Sequence, residues 1–231
     1  MSKIADDREW LDARLGLLAA EKSLQKARDQ VAAERRALPW RPVTEDYRFE
    51  GEDGPVTLSD LFDGRSQLVV YHFMFHPDWD EGCKSCSFWA DSFDGAHVHL
   101  RARDVNFVAV SRAPLAKLLA YRDRLGWRFP WVSSGGNRFN YDFNVSFEPE
   151  RIESGETVYN YEAGGGTIEE LPGISVFARD GGRVFHTYST YSRGLDPFNV
   201  TYQFLDIVPA GRNEDGLSYT MEWLCRRDDY T

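Results

Sequence analysis

The sequence predicts an α/β domain with a central mixed sheet flanked by helices, preceded by one long added helix. Three observations support this prediction. The run from Leu68 to Phe75 is apolar without alternation, which is typical of a strand covered on both faces. Cys83 and Cys86 form a Cys-x-x-Cys motif soon after it, where a helix is predicted to begin. Residues 174–188 read as two strands joined by the turn Asp180-Gly181-Gly182, a β-hairpin.

Composition limits the class of protein. A chain of 231 residues with 42% hydrophobic content is long enough for one domain with a full core and a smaller additional element. The net charge of −10 argues against nucleic acid or an anionic membrane as a partner. Three cysteines do not make a secreted disulfide framework, and the acidic N-terminus does not read as a signal peptide. We therefore expect a cytoplasmic protein, with no cofactor.

A long helix is predicted over residues 8–38. Leu11, Leu15 and Leu18 form an apolar stripe, and Pro39 follows the helix. Because a helix of this size gains most of its order from docking, residues 1–42 are predicted to be a helical extension that mediates homo-oligomer formation.

The remaining elements follow in a regular succession up to residue 126, and a less regular stretch comes after it. An insertion near 135–170 is rich in aromatic residues and glycine. We expect a domain over 43–208 and a tail over 209–231. The predicted elements of the domain are a hairpin over 47–58, a one-turn helix ending at 62, strands over 68–75 and 105–110, a helix from the cysteines to 103, a helix over 114–125, the hairpin over 174–188 and a helix within 196–208.

The two cysteines have the spacing of a thiol–disulfide redox site. At the start of a helix, Cys83 faces unpaired backbone N–H groups, which favour a thiolate by ~0.3–1 kcal/mol. Lys84 adds to this effect, whereas the acidic residues within 78–81 oppose it. We therefore expect a modestly acidified thiol typical of a reductant. Cys83 is the predicted attacking thiol and Cys86 the resolving thiol.

The order of the elements resembles the thioredoxin fold. Over nearly its whole length the chain also resembles a bacterial thioredoxin-like family, domain of unknown function family 899. The matching segments are 34–40, 60–68, 71–75, 82–87, 110–117 and 188–194. The resemblance implies a thioredoxin-like fold and a redox-like site, acting on a protein or small-molecule disulfide or thiol.

Thioredoxins place a cis-proline at the start of the strand that faces their cysteines. Here that strand is predicted to begin at Ile174 and Ser175, two residues after Pro172. The loop before the cysteines, which contains Trp79, is longer than in thioredoxin and is predicted to shape a pocket. The residues expected to flank the site are Trp79, Lys84, Ser85, Arg112, Ile174 and Ser175.

Three other functions stay open on sequence grounds. The first is a peroxiredoxin-like peroxidase, because the small helix and apolar strand before the cysteines resemble those of peroxiredoxins. However, peroxiredoxins have Thr or Ser three residues before the reactive cysteine, and Asp80 stands at that position here. A zinc or copper site is the second, with Cys83, Cys86 and His76 as ligands, or with His72 or the distant Cys225 in place of His76. If Cys225 binds no metal, it is predicted to pack as a small hydrophobic side chain. The third is an interaction domain with vestigial cysteines.

Overall fold

A computed structural model describes residues 3–230, which divide into two units between Pro39 and Trp40. The first unit contains helix α1 (Asp7–Arg36). Asp6 caps α1 by accepting a hydrogen bond from the Glu9 N–H at 2.9 Å. None of the helix side chains is buried. The predicted helix is therefore confirmed, and its role in self-association stays a prediction.

The second unit is built around one large sheet. None of the helices within residues 3–230 has both the length and the apolar character needed to cross a membrane. The strands are β1 (Arg41–Pro42), β2 (Arg48–Gly51), β3 (Gly54–Thr57), β4 (Gln67–His72), β5 (Val105–Ser111), β6 (Trp131–Ser133), β7 (Val158–Tyr159), β8 (Glu162–Ala163), β9 (Gly173–Asp180) and β10 (Arg183–Tyr191). The helices are α2 (Lys84–Phe93), α3 (His97–Arg101), α4 (Leu115–Leu125), α5 (Phe139–Asp142), α6 (Pro149–Glu153) and α7 (Val200–Leu205), with 3-10 turns at Asp60–Phe62 and Ser192–Phe198.

The strand order is β1-β10-β9-β4-β5-β6-β2-β3. Strands β4, β5 and β6 run parallel, β9 pairs antiparallel with β4, and β10 pairs antiparallel with β9. This central part is the thioredoxin arrangement, a parallel β-α-β-α unit followed by a hairpin. The hairpin β2–β3 extends the sheet at one edge and β1 at the other. The predicted thioredoxin-like fold with a mixed sheet is therefore confirmed.

Both faces of the sheet are buried, as the unbroken apolar runs predict. Along β4, Leu68 and Val70 join a core cluster with the aromatic rings of α5. Tyr71 joins the opposite cluster, which also contains Cys86 and residues of α2, α4 and α7. The cysteines therefore lie on the helical face formed by α2, α4 and α7.

Two predicted elements are shorter in the structure. The helix that starts at the cysteines breaks after Phe93, where the Asp94 carboxylate accepts hydrogen bonds from the Arg128 backbone and guanidinium instead of remaining on a helix surface. The strand predicted to reach Phe75 leaves the sheet ladder after His72. Residues 73–75 keep an extended path because Phe73 N–H donates to the Val110 carbonyl at 3.0 Å.

The domain limits also differ from those predicted. Arg41 and Pro42 belong to the sheet, because they pair with His186 and Phe185 of β10 rather than continuing the helical extension. The insertion near 135–170 holds α5, α6 and the small sheet β7–β8. Residues 209–230, which were expected to form a tail, follow helix α7. They pack on the domain, with Leu224 only 2% exposed.

Gly173 opens β9 in a place where no side chain fits. A Cβ there would lie 2.7 Å from Cδ1 of Tyr191, whose hydroxyl is fixed by a 3.0 Å hydrogen bond to the Phe143 carbonyl. We expect Gly173→Ala to lower the free energy of unfolding by about 1–3 kcal/mol, measured by urea denaturation. Gly136→Ala is the control, because a Cβ at Gly136 meets nothing within 4 Å in the described chain. Equal stability of the two variants would contradict this packing argument.

Candidate active site

Cys83 is the residue that caps the N-terminus of α2. Its extended backbone ends the loop, and the helix begins at Lys84. The Cys83 N–H donates to the Met74 carbonyl at 3.1 Å, and the Cys83 carbonyl accepts from the Ser87 N–H and hydroxyl, both at 3.0 Å. These bonds hold the first cysteine between the end of β4 and the first turn of α2. The Cys83 side chain is half-buried.

Cys86 lies one turn into α2 and is buried, with 2% of its surface exposed. Its sulfur accepts a hydrogen bond from the Met74 N–H at 3.4 Å. The Tyr71 hydroxyl, itself buried, donates to the Cys86 carbonyl at 3.3 Å. Both cysteines are free thiols in this structure.

The two thiols have opposite acidity. The pKa of Cys83 is lowered to about 6, chiefly because the Cys86 thiol donates a hydrogen bond to the Cys83 sulfur. The Cys86 and Ser85 N–H groups and the Ser85 hydroxyl lower it further, while burial opposes them. The pKa of Cys86 is raised well above its ordinary value by burial and by its donation to Cys83. At pH 7, Cys83 is therefore a thiolate and Cys86 a protonated thiol.

Three predicted flanking residues lie near the dithiol. Ser85 contributes a hydrogen bond to Cys83, as described above. The Lys84 ammonium points away, toward the Glu222 carbonyl at 3.5 Å. Trp79 packs on the same core cluster as Cys86, and its carbonyl accepts from the Lys117 ammonium at 2.8 Å. The long loop before Cys83 is therefore anchored at Trp79.

Arg112 is engaged elsewhere. Its guanidinium donates to the Glu170 carboxylate at 2.7 Å and lies over the Tyr141 ring at 4.7 Å. Glu170 is 1% exposed, and burial raises its pKa to about 7 although Arg112 and Ser146 oppose this rise. Arg112 was expected to flank the site, but its guanidinium is committed to Glu170 and Tyr141 instead. Its charge is used to compensate a buried carboxylate of the insertion.

Only one of the two predicted β9 residues faces the dithiol. Ile174 pairs with Tyr71 and lies in the same core cluster as Cys86. Ser175 points to the other face of the sheet, where its hydroxyl bonds His72 Nε2 and the Ser189 hydroxyl, both at 2.8 Å. The expectation for Ser175 is therefore wrong, since successive strand residues point to opposite faces.

The strand also begins earlier than predicted, so Pro172 directly precedes β9 and lines a cavity with Cys86. Residues 3–230 contain no cis peptide bond, so Pro172 differs from the cis-proline that the thioredoxin resemblance implies.

His76 does not join the cysteines. Its Nε2 lies 3.4 Å from Glu169, and its Nδ1 accepts from the Asp78 N–H at 3.2 Å. Across the described part of the chain, no three His, Cys, Asp or Glu side chains are grouped as metal ligands. The alternative ligand set of His76, Cys83 and Cys86 is therefore not assembled. Cys225 is exposed rather than packed, because Leu224 takes the buried position beside it.

Sequence reasoning missed a side chain that holds the residue before Cys83. We call this contact the Arg226 clamp. The Arg226 guanidinium donates to the Gly82 carbonyl at 3.1 Å and to the Tyr121 hydroxyl at 2.7 Å. Tyr121 and the Ser87 hydroxyl are 2.9 Å apart, which continues the network to the Cys83 carbonyl. Gly82 must be glycine, because a Cβ would lie 2.8 Å from Phe73 Cε1. No local signal identifies Arg226, which is 144 residues from Gly82.

A cavity of about 1050 Å³ opens beside Cys86 and Ser85. Its walls come from the end of β4, from α2, from the insertion, from the region after β10 and from the C-terminal segment 210–221. The loop that carries Trp79 does not line this cavity, so the cavity is not the loop-shaped pocket that the sequence predicts.

The opposite acidity of the two thiols predicts a specific alkylation profile. In a Cys225→Ser background, Cys83 should react with iodoacetamide along a curve with a midpoint near pH 6, while Cys86 stays unreactive up to about pH 9. Peptide mass spectrometry after timed quenching measures both rates. Cys86→Ala removes the thiol donor and should move the midpoint upward. A midpoint near the ordinary value of about 8.5 in the Cys225→Ser protein would contradict the assignment.

The clamp predicts a strong difference between two neighbouring arginines. Arg226→Met keeps most of the packing but leaves the Gly82 carbonyl and the Tyr121 hydroxyl without their guanidinium partner. We expect a loss of about 1–3 kcal/mol in unfolding free energy and faster amide hydrogen exchange at Cys83. Arg227→Met should change stability by no more than about 0.5 kcal/mol. Arg227 is half-exposed and contacts Asp91 at 3.4 Å. Similar effects of both substitutions would refute the clamp.

Comparison with known proteins gives a family. The model of the family described as "Bacterial protein of unknown function (DUF899)" matches residues 1–230, so the chain belongs to this family. A comparison with curated proteins gives no match.

Several solved structures are similar at low identity. Peroxidoxin BcpB from Mycobacterium tuberculosis has a TM-score of 0.49 and 14% identity, with 71% of this chain and 95% of that chain covered. Xanthomonas campestris peroxiredoxin Q has a TM-score of 0.48 and 15% identity, covering 67% and 86%. The mitochondrial 2-Cys peroxiredoxin from Plasmodium falciparum has a TM-score of 0.43 and 11% identity, covering 72% and 93%.

Proposed function

We propose that this DUF899 protein is a thiol–disulfide oxidoreductase in which Cys83 attacks a disulfide and Cys86 resolves the mixed disulfide. The observation that carries the proposal is the difference in exposure and acidity between the two thiols. Cys83 is partly exposed with a pKa of about 6, and Cys86 is buried with a raised pKa. A dithiol site needs one thiolate ready to attack and one thiol held in reserve.

The reaction balances with two thiols and one disulfide. The Cys83 thiolate attacks one sulfur of the substrate, the S–S bond breaks, and the other sulfur leaves as a thiolate. The Cys86 thiol gives its proton to that leaving thiolate, and its sulfur then attacks Cys83. This second attack releases the rest of the substrate as a thiolate. The substrate gains two electrons, and the protein is left with a Cys83–Cys86 disulfide, which an external dithiol reduces in the next cycle.

The surroundings of Cys86 favour the second step. Cys86 loses its hydrogen-bond acceptor when the Cys83 thiolate is consumed. Hydrogen bonds from the Tyr71 hydroxyl and the Met74 N–H lower the pKa of Cys86 and so oppose the effect of burial. Burial also raises the pKa of Tyr71 well above its ordinary value, so Tyr71 remains a donor. The developing Cys86 thiolate therefore has the Met74 N–H in place as a donor, and the Tyr71 hydroxyl, which donates to the Cys86 carbonyl, lies beside it.

Two serine variants test the assignment of roles. Cys86→Ser should accumulate a stable mixed disulfide on Cys83 when mixed with a model disulfide, because resolution is blocked. Cys83→Ser should form none, and neither variant should turn over with dithiothreitol as the reductant. Intact-mass spectrometry and release of free thiol measure these outcomes. Cys225→Ser is the control and should behave like the unsubstituted protein. A mixed disulfide formed mainly on Cys86 would overturn the assignment.

The same protein preparation distinguishes the oxidoreductase from a peroxidase. Hydrogen peroxide is supplied in place of the disulfide, with dithiothreitol as the reductant. Rapid peroxide consumption together with slow disulfide reduction would favour the peroxidase. The opposite ratio is expected here, because Asp80 occupies the position of the hydroxyl that orients peroxide in peroxiredoxins.

A further inference from the structure

The cavity beside Cys86 has the size of a small-molecule site. Its volume of about 1050 Å³ is slightly above the usual range for ligand pockets, roughly 300–1,000 Å³. Segment 210–221 lines it together with the core elements. The segment is held down where Trp223 packs edge-to-face on Phe88 of α2, with ring centroids 5.7 Å apart. A half-open cavity of this volume has room for a compact molecule.

The inner wall of the cavity offers apolar surface. The polar atoms of its Trp89 and Tyr159 rings are already bonded within the protein. Trp89 Nε1 donates to the Leu195 carbonyl at 2.9 Å. The Tyr159 hydroxyl donates to the Pro172 carbonyl at 2.8 Å and accepts from the Ser192 N–H at 2.9 Å. These two side chains offer a ligand their ring surfaces, which favour an apolar or aromatic molecular body.

The charged residues that line the cavity are mostly acidic. They are four carboxylates and two guanidinium groups, Asp196, Asp206, Glu214, Asp215, Arg193 and Arg212. Arg212 donates to Asp206 at 2.7 and 2.8 Å and to Asp196 at 3.0 Å, and it stacks over the Tyr202 ring at 3.9 Å. Arg193 donates to Asp196 as well, at 3.2 Å. Both guanidinium groups are thus committed to carboxylates.

The carboxylates that line the cavity differ in how many hydrogen bonds they accept. Glu214 accepts from the Tyr202 hydroxyl at 2.9 Å, from Trp223 Nε1 at 2.7 Å and from the Met221 N–H at 3.1 Å. Asp215 is exposed at the edge of the cavity, and within residues 3–230 its carboxylate has no hydrogen bond or ion pair. A cationic group on a ligand would find a free carboxylate there, whereas an anionic group would meet the surplus of negative charge.

From these observations we infer that the substrate is a low-molecular-weight disulfide with an apolar body and a cationic amine. This inference rests on the proposed function, because it assigns the substrate class of the same dithiol. The apolar body packs on the aromatic wall and the amine lies near Asp215. One sulfur of the disulfide reaches the Cys83 thiolate past Cys86 and Ser85, which line the cavity and hydrogen-bond the Cys83 sulfur. The electron transfer is the exchange described above, with an external dithiol as the reductant.

Matched disulfides test the substrate class. The reduced Cys225→Ser protein is mixed with the symmetric disulfides of para-aminomethyl benzenethiol and para-carboxymethyl benzenethiol, and with cystamine, which has amines but no ring. Each rate constant is divided by the rate constant for the same disulfide with dithiothreitol, which corrects for intrinsic reactivity. The aromatic diamine is expected to exceed the aromatic dicarboxylate by at least about tenfold, and to exceed cystamine.

Charge reversal at the cavity provides the matched control. Asp215→Lys should remove most of the preference for the diamine over the dicarboxylate. Asp53→Lys changes the net charge of the protein equally, but Asp53 is exposed in the β2–β3 turn and does not line the cavity. It should leave most of the preference intact. Equal effects of the two substitutions, or equal normalised rates for all three disulfides, would overturn the inference while leaving the oxidoreductase function standing.

Binding without redox chemistry separates the two proposals. In the Cys83→Ser, Cys86→Ser double variant, isothermal titration calorimetry compares para-methylbenzylamine with para-methylphenylacetate. Tighter binding of the amine, weakened by Asp215→Lys and not by Asp53→Lys, supports the inference. Equal binding of the two compounds, or tighter binding of the carboxylate, refutes it. If none of the disulfides oxidises the dithiol of the Cys225→Ser protein, the proposed function fails even when the amine binds.

Discussion

The backbone of Met74 holds both cysteines. Its carbonyl accepts the Cys83 N–H at 3.1 Å, and its N–H donates to the Cys86 sulfur at 3.4 Å. The segment around Met74 is itself tied to the strand β5 and the residues after it, because Phe73 N–H donates to Val110 and the Phe75 carbonyl accepts from Ala113. The position of the dithiol is therefore set by the sheet. The long loop that precedes Cys83 shapes its surroundings without carrying it.

The acidity of Cys83 shows what a local argument leaves out. The helix N-terminus and Lys84 predict a small decrease in the pKa, opposed by the acidic loop. The structure lowers the pKa further, to about 6, chiefly because the Cys86 thiol donates to the Cys83 sulfur. The loop acids oppose this less than expected. Glu81 forms ion pairs with Arg124 and Arg226, and the side chain of Asp78 is 90% exposed, so water screens its charge.

Local signals in the sequence predicted most of the central sheet. Apolar runs marked β4 and β5, and Gly126, with a left-handed φ of 66°, ended α4 as expected. The positions of Ile174 and Ser175 needed the exact start of β9, because a shift of one residue exchanges the two faces of a strand. The pairs Arg112–Glu170 and Arg226–Tyr121 join residues 58 and 105 positions apart. Such contacts have no periodic or motif signal, so only the folded structure could reveal them.

His72 and His186 lie on the opposite face of the sheet, away from the dithiol. His72, Ser175, Ser189 and His186 form a hydrogen-bonded chain there, with contacts of 2.7 to 2.8 Å. Burial lowers the pKa of His72 to about 3 and that of His186 to about 4, so both are neutral at pH 7. Neither lies on the face that carries Cys86. On that face the Tyr71 hydroxyl touches Cys86, and its raised pKa keeps it a donor. In the proposed reaction, the proton of Cys86 therefore has the substrate's own leaving thiolate as its acceptor, and resolution of the mixed disulfide depends on the basicity of that leaving group.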